Sequence, residues 1–126
     1  MTGSFTPLET RFEARGQNAI AEFRLQPDLF WFRGHFPIQP IVPGVAQLEW
    51  VVLYSGRAAG RPLGLSEVKQ MKFTTPMQPG DETRLTLSRE ESDGTVIPVR
   101  FRYEVKQKDG WAAASSGRVE LTPRNA

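Results

Sequence analysis

The chain has 126 residues, 16 Lys and Arg against 14 Asp and Glu, and a formal net charge of +2. This length fits a single domain over 1–126, and the mild, unclustered basic excess lacks the Lys/Arg runs of a nucleic-acid footprint. Cysteine is absent and histidine occurs once, at His35. That composition excludes disulfides, thiolate zinc sites, a cysteine nucleophile and multi-histidine metal sites.

No stretch approaches the roughly 20 apolar residues of a membrane span. The opening Met1-Thr2-Gly3-Ser4 carries neither the charged nor the apolar region of a secretion signal, so the expected location is cytoplasmic. Only the first few residues and the tail from Pro123 are expected to fray.

In chain order, the first clear element is Ala19–Leu25. Ala21, Phe23 and Leu25 alternate there with Glu22 and Arg24, which predicts a strand with one buried face. Next comes a segment rich in aromatics and proline around His35, with Pro37, Pro40 and Pro43 following. Each proline fixes its own φ and restricts the residue before it, so this loop is expected to be stiff.

From Val45 to Ala59 the apolar residues do not alternate and cover most of a helical circumference. This predicts a helix buried on most sides, entered after Pro43-Gly44 and stopped near Gly60-Arg61-Pro62. Beyond it, Met71 and Phe73 mark a strand, Pro79-Gly80-Asp81 a turn, and Leu85 and Leu87 another strand. Ile97, Val99, Phe101, Tyr103 and Val105 form the best alternation in the chain, between the turn pairs Asp93-Gly94 and Asp109-Gly110. In the last run, Trp111, Ala113, Val119 and Leu121 share one parity. The C-terminal half is therefore expected to be an antiparallel meander of about four strands. The fold class that follows is α+β, one hydrophobic helix wrapped by a curved antiparallel sheet.

Three positions carry candidate chemistry. Glu49 sits in the second turn of the helix. A carboxylate in apolar surroundings must be paired or protonated, unless it points out through a gap or caps a backbone group. His35 is the single imidazole, held by the stiff loop as a base must be, although a lone loop histidine is also a common structural residue. Gly44 lies at the helix start. N–H groups there lack intrahelical partners and can polarise a carbonyl, unless the position is merely an entry turn. No phosphate-binding loop, dinucleotide fingerprint or nucleophile elbow competes with these three. The adjacent acids Asp81-Glu82 and Glu90-Glu91 are expected to be solvated.

The stretch Gly34-His35-Phe36-Pro37-Ile38-Gln39-Pro40-Ile41-Val42-Pro43-Gly44-Val45-Ala46-Gln47-Leu48-Glu49 resembles the active-site segment of the hot-dog-fold 3-hydroxyacyl-(acyl-carrier-protein) dehydratases. Lys72-Phe73-Thr74-Thr75-Pro76-Met77-Gln78-Pro79-Gly80-Asp81 resembles a second family segment, and the similarity runs from about Ala19 to Leu121. Three features depart from the fatty-acid enzymes: the N-terminal region is shorter, Ile38 replaces a glycine and Leu53 replaces a glutamine. The run Gln47-Leu48-Glu49-Trp50 looks more like the accessory dehydratases of aryl-polyene or related pathways.

The resemblance implies dehydration of (3R)-3-hydroxyacyl thioesters to trans-2-enoyl thioesters. His35 would be the base, Glu49 the acid, and the Gly44 N–H the carbonyl-polarising group. Phe36, Ile41, Val45 and Leu53 would contact substrate. No metal or redox cofactor is implied. The implied partners are an acyl-carrier protein and a second copy of the chain, each site taking His from one subunit and Glu from the other. Arg33, Arg57 and Arg61 are candidates for docking the carrier. The rival readings are a hot-dog thioesterase, a non-catalytic partner subunit of a heterodimer, and a binding-only domain.

Overall fold

The computed structural model describes residues 5–32 and 41–124. Strands β1 (Leu8–Arg15) and β2 (Asn18–Arg24) form a hairpin. A short 3-10 turn follows at Phe30–Phe32, and then helix α1 at Gly44–Ala59. Strands β3 (Leu63–Phe73), β4 (Glu82–Arg89), β5 (Ile97–Gln107) and β6 (Gly110–Pro123) complete the chain. The six strands make one antiparallel sheet in the order β1-β2-β4-β5-β6-β3.

The alternation in β2 and β5 decides which face meets the helix. Ala19, Ala21 and Phe23 of β2 are buried, as are Val99, Phe101, Tyr103 and Val105 of β5. Against them α1 sets Ala46, Trp50, Val51 and Tyr54. Phe23 meets Trp50 edge-on at 5.6 Å and stacks on Tyr54 at 6.0 Å. Each large apolar side chain so buried contributes about 1.5–3 kcal/mol, and this inner face holds the helix in the sheet.

The expected four-strand meander is corrected. β4, β5 and β6 form it, but β3 pairs with β6 at the far edge rather than with β4. The connection from β3 to β4 crosses the layer. Its Thr74 and Thr75 N–H groups donate to the Ala114 carbonyl, and Met77 is buried in the core. Gly117 lets β3 close on β6, because a Cβ there would lie 2.2 Å from the Gln70 carbonyl oxygen and 2.8 Å from the Phe101 ring.

The expected single parity of β6 also fails. A register shift at Tyr103/Glu104 places Ala114 and Ser115 both inward, so Ala113 is exposed while Val119 and Leu121 are buried. One extra residue on the bulged strand reverses the parity on either side of it.

β1 had no sequence signal of its own. It is an edge strand with only Phe12 turned toward the core, stacked on Tyr54 at 5.8 Å. The chain ends are tied rather than frayed where they are described. The indole N–H groups of Trp31 and Trp50 both donate to the Phe5 carbonyl, at 2.9 and 3.1 Å. At the other end, the Arg124 N–H donates to the Pro62 carbonyl at 3.0 Å.

Candidate functional site

Helix α1 begins where the segment 41–43 is pinned to the rest of the fold. The Val42 N–H donates to the Met77 carbonyl at 2.9 Å. Gln47, buried in the first turns, binds in both directions: its Nε2 donates to the Val42 carbonyl at 3.2 Å and its Oε1 accepts from Ser115 Oγ at 2.6 Å. The Tyr103 hydroxyl donates to the Gln47 carbonyl at 2.6 Å. Burial pushes the Tyr103 phenol well above its ordinary range, so it remains a donor. This network fixes the rotation of α1 about its axis. Nothing in the periodicity of the sequence pointed to it, because glutamine reads as a surface residue unless its partners are known.

With Ala46, Gln47, Trp50 and Val51 turned inward, Val45, Glu49 and Leu53 fall on the opposite face. All three are exposed. The helix is thus buried or half-buried on most sides, as expected, and of the two positions open to Glu49 the structure shows the outward one, on the single exposed stripe. Nothing in the described chain covers this face.

The open face is one wall of a groove of about 850 Å³. Leu48, Val52 and Leu53 line it from the helix and Leu63 and Leu65 from β3, and Glu49 is the only carboxylate among its described lining residues. Of the expected substrate contacts, Val45 and Leu53 lie in the groove. Ile41 does not, because it precedes the helix and is half-buried. His35, Phe36 and Arg33 lie outside the described residues.

Gly44 is the first residue of α1, and Pro43 before it gives no side-chain cap. The first intrahelical acceptor, the Pro43 carbonyl, takes the N–H groups of Ala46 and Gln47. No described residue accepts from the N–H groups of Gly44 and Val45, so these donors remain directed out of the helix start. Glycine is required here for space as well. A Cβ would lie 3.0 Å from Cζ of Phe73, so the β3 ring closes directly over the helix entry.

The remaining candidates behave as structural groups. Asp81 is not simply solvated: its carboxylate accepts the Gln78 N–H at 2.8 Å and closes the turn before β4. Glu90 bridges Arg118 and Arg100. Arg57, an expected docking residue, is held by Glu9 through both terminal nitrogens and lies over the Phe12 ring at 4.2 Å. Among the described residues no cluster of His, Cys, Asp or Glu could hold a metal. No described helix is long and apolar enough to cross a membrane.

Comparison with known proteins places this geometry. The chain is 31% identical over 95 residues to the 3-hydroxyacyl-(acyl-carrier-protein) dehydratase FabZ of Rhodospirillum rubrum, covering 68% of this chain and 59% of that protein. It is 32% identical over 90 residues to FabZ of Gluconobacter oxydans, covering 64% and 53%. The chain thus spans somewhat over half the length of these curated relatives. Among solved structures, a chain of the dehydratase heterocomplex ApeI:P from Xenorhabdus doucetiae superposes with a TM-score of 0.77 at 37% identity, covering 93% of this chain and 98% of that one. An acyl-CoA hydrolase mutant from Staphylococcus aureus, at 10% identity and a TM-score of 0.66, shares the fold alone. Residues 11–118 match the family model described as ApeI-like, ApeI dehydratase. With its helix held in a six-stranded antiparallel sheet, the chain belongs to the ApeI-like dehydratase family of the hot-dog fold.

Proposed function

We propose that the protein dehydrates (3R)-3-hydroxyacyl thioesters, carried on an acyl-carrier protein, to trans-2-enoyl thioesters. The observation that carries this reading is the position of Glu49. Among the described residues it is the single carboxylate lining an apolar groove, one turn beyond a helix start whose first N–H groups they leave unclaimed. The FabZ relatives, named as 3-hydroxyacyl-(acyl-carrier-protein) dehydratases, support a dehydration.

The roles follow from the chemistry. The Gly44 N–H, with the positive end of the α1 dipole behind it, polarises the thioester carbonyl and acidifies the α-carbon. His35 in its neutral form removes the α-proton. An unperturbed imidazole titrates near pH 6.5, close to working pH. Glu49 delivers its proton to the β-hydroxyl, which leaves as water. A partner chain laid over the open helix face would exclude water from the carboxyl group during that step.

The same open face supports a dimer. Val45 and Leu53 on α1 and Leu65, Val68 and Phe73 on β3 are apolar and exposed, and β3 is an edge strand. An uncovered strand edge and apolar face invite a second chain. A second copy would close the groove, and in this proposal its His35 acts with Glu49 at a shared site. The heterocomplex named for the ApeI relative supports a second reading, in which a different chain takes that place.

The test is product mass after incubation with a 3-hydroxyacyl-carrier thioester. Loss of one water is expected. Release of the free acid would mean a thioesterase, and no change in the isolated protein would mean that a different partner chain is required.

A further inference from the structure

One end of the groove carries charge that the acid–base chemistry does not use. Three arginines, Arg57, Arg61 and Arg124, line the groove near the end of α1. Arg57 is already neutralised by Glu9. Arg61 and Arg124 have no carboxylate partner among the described residues. The nearby acids of β3 and β6, Glu67 and Glu120, are both taken by Lys69. Among the described residues, this end of the groove therefore holds two uncompensated positive charges.

The α1 dipole opposes an anion here with about half a negative charge. Its last carbonyls are partly satisfied by the N–H groups of Gly60 and Arg61, and two full charges outweigh it.

Arg61 and Arg124 are exposed, so this end opens to water. An acyl tail would not terminate there, whereas an ionised phosphate would. Arg124 is also pre-positioned. Its backbone N–H is fixed to Pro62, and its side chain lies across Gly64 so closely that a Cβ there would come within 3.0 Å of Cδ and 3.3 Å of Nε. A side chain already held in place loses less entropy on binding.

The span from the carboxylate to these cations matches a defined ligand. The axial rise from Glu49 to Gly60 is about 16 Å at 1.5 Å per residue. A phosphopantetheine arm has about thirteen bonds from sulfur to phosphorus, and three bonds per peptide unit give it an extended reach of about 15 Å.

We infer that Arg61 and Arg124 form the anchoring site for the phosphate of the phosphopantetheine arm, with the apolar groove holding the arm and Glu49 at its thioester end. The assignment rests on the dehydratase reading above. It also divides the arginines by role: Arg57 clamps β1 to the helix, while Arg61 and Arg124 read the anion.

The experiment compares the same 3-hydroxyacyl group on 4′-phosphopantetheine, on pantetheine without the phosphate, on coenzyme A and on carrier protein. Wild type should prefer the 4′-phosphopantetheine thioester over the pantetheine thioester by roughly tenfold in kcat/KM, expressed in KM. That is the scale of two exposed charge-assisted contacts. The preference should collapse in Arg61→Ala/Arg124→Ala, return in part in Arg61→Lys/Arg124→Lys, and survive in Lys108→Ala, which removes an exposed charge from the β5–β6 turn. The double alanine variant should lose the same factor on carrier protein. An unchanged preference in that variant would overturn the site, as would a loss confined to coenzyme A, which would assign the cations to its nucleotide. Calorimetric binding of 4′-phosphopantetheine against pantetheine separates this site from the reaction. Phosphate-dependent binding that needs both arginines supports the site even if no thioester is dehydrated, and binding that ignores the phosphate refutes it even if dehydration proceeds.

Discussion

Replacement of Gln47 by leucine tests whether the buried network sets the rotation of α1. The side chain is 3% exposed and binds two partners, the Val42 carbonyl and the Ser115 hydroxyl. Leucine has nearly the same volume, so little cavity forms and the cost comes from the orphaned partners. A buried polar group left without its partner costs about 1–3 kcal/mol. Ser115 can turn its hydroxyl toward another acceptor more easily than Val42 can move its carbonyl, so about 2–4 kcal/mol is expected in all. For a chain of this size about 1 kcal/mol corresponds to about 4 °C in Tm, which predicts a fall of roughly 8–16 °C. The assay is urea and thermal unfolding at one fixed protein concentration, since any association makes Tm depend on concentration. The decisive measurement is the double-mutant cycle with Ser115→Ala. Removing the hydroxyl first leaves Gln47→Leu with one orphan rather than two, so about 1 kcal/mol of coupling should appear. Full additivity of the two substitutions, or a Gln47→Leu variant as stable as wild type, would refute the reasoning.

The other predictions concern the proposed chemistry and one titration. His35→Ala and Glu49→Gln should each lower turnover by about 10²–10⁴-fold while leaving the melting temperature close to wild type, as Glu49 makes no described contact that holds the fold; near-normal turnover in either folded variant would remove that residue from its role. Mixing the two inactive variants under subunit exchange should restore activity, because a mixed dimer holds one intact and one doubly damaged site, and no recovery after confirmed exchange would mean that each site is built from one chain. Burial, and then the neighbouring Glu9 carboxylate, push the Tyr54 phenol up to about 12. The unfolded chain therefore gives up this proton near pH 10 while the folded chain keeps it, so the contribution is present below pH 10 and stability falls as pH rises from about 10 to 12. Unfolding free energies across that window should fall less steeply in Tyr54→Phe, and an identical slope would assign the alkaline loss to other groups.

The sequence by itself determined the parts of this protein that rest on local rules. Alternation over Ile97–Val105 required a half-buried strand, and the turn pairs on either side set its length. The apolar density from Val45, with Pro43-Gly44 before it and Gly60 after it, required a helix; Gly60 closes it at a left-handed φ of 72°. The identities of His35, Gly44 and Glu49 as candidates also came from residue types and spacing.

Tertiary structure decided what those rules do not reach. Helical periodicity counts apolar residues but does not say which arc faces the sheet. That arc was chosen by Gln47, Ser115 and Tyr103, which meet only after β5 and β6 have folded against the helix. The placement of β3 beside β6 depends on the missing side chain of Gly117 and on a buried Met77 in the crossing loop, neither of which has a periodic signature. Strand β1 turns a single ring toward the core, too little for alternation to register. The arginines show the same limit. Arg57 and Arg61 are four residues apart and alike in sequence, yet one is neutralised by a glutamate 48 residues away and the other is left to the solvent. Charge can be counted along a chain, but its compensation depends on distance, and distance exists only once the chain has folded.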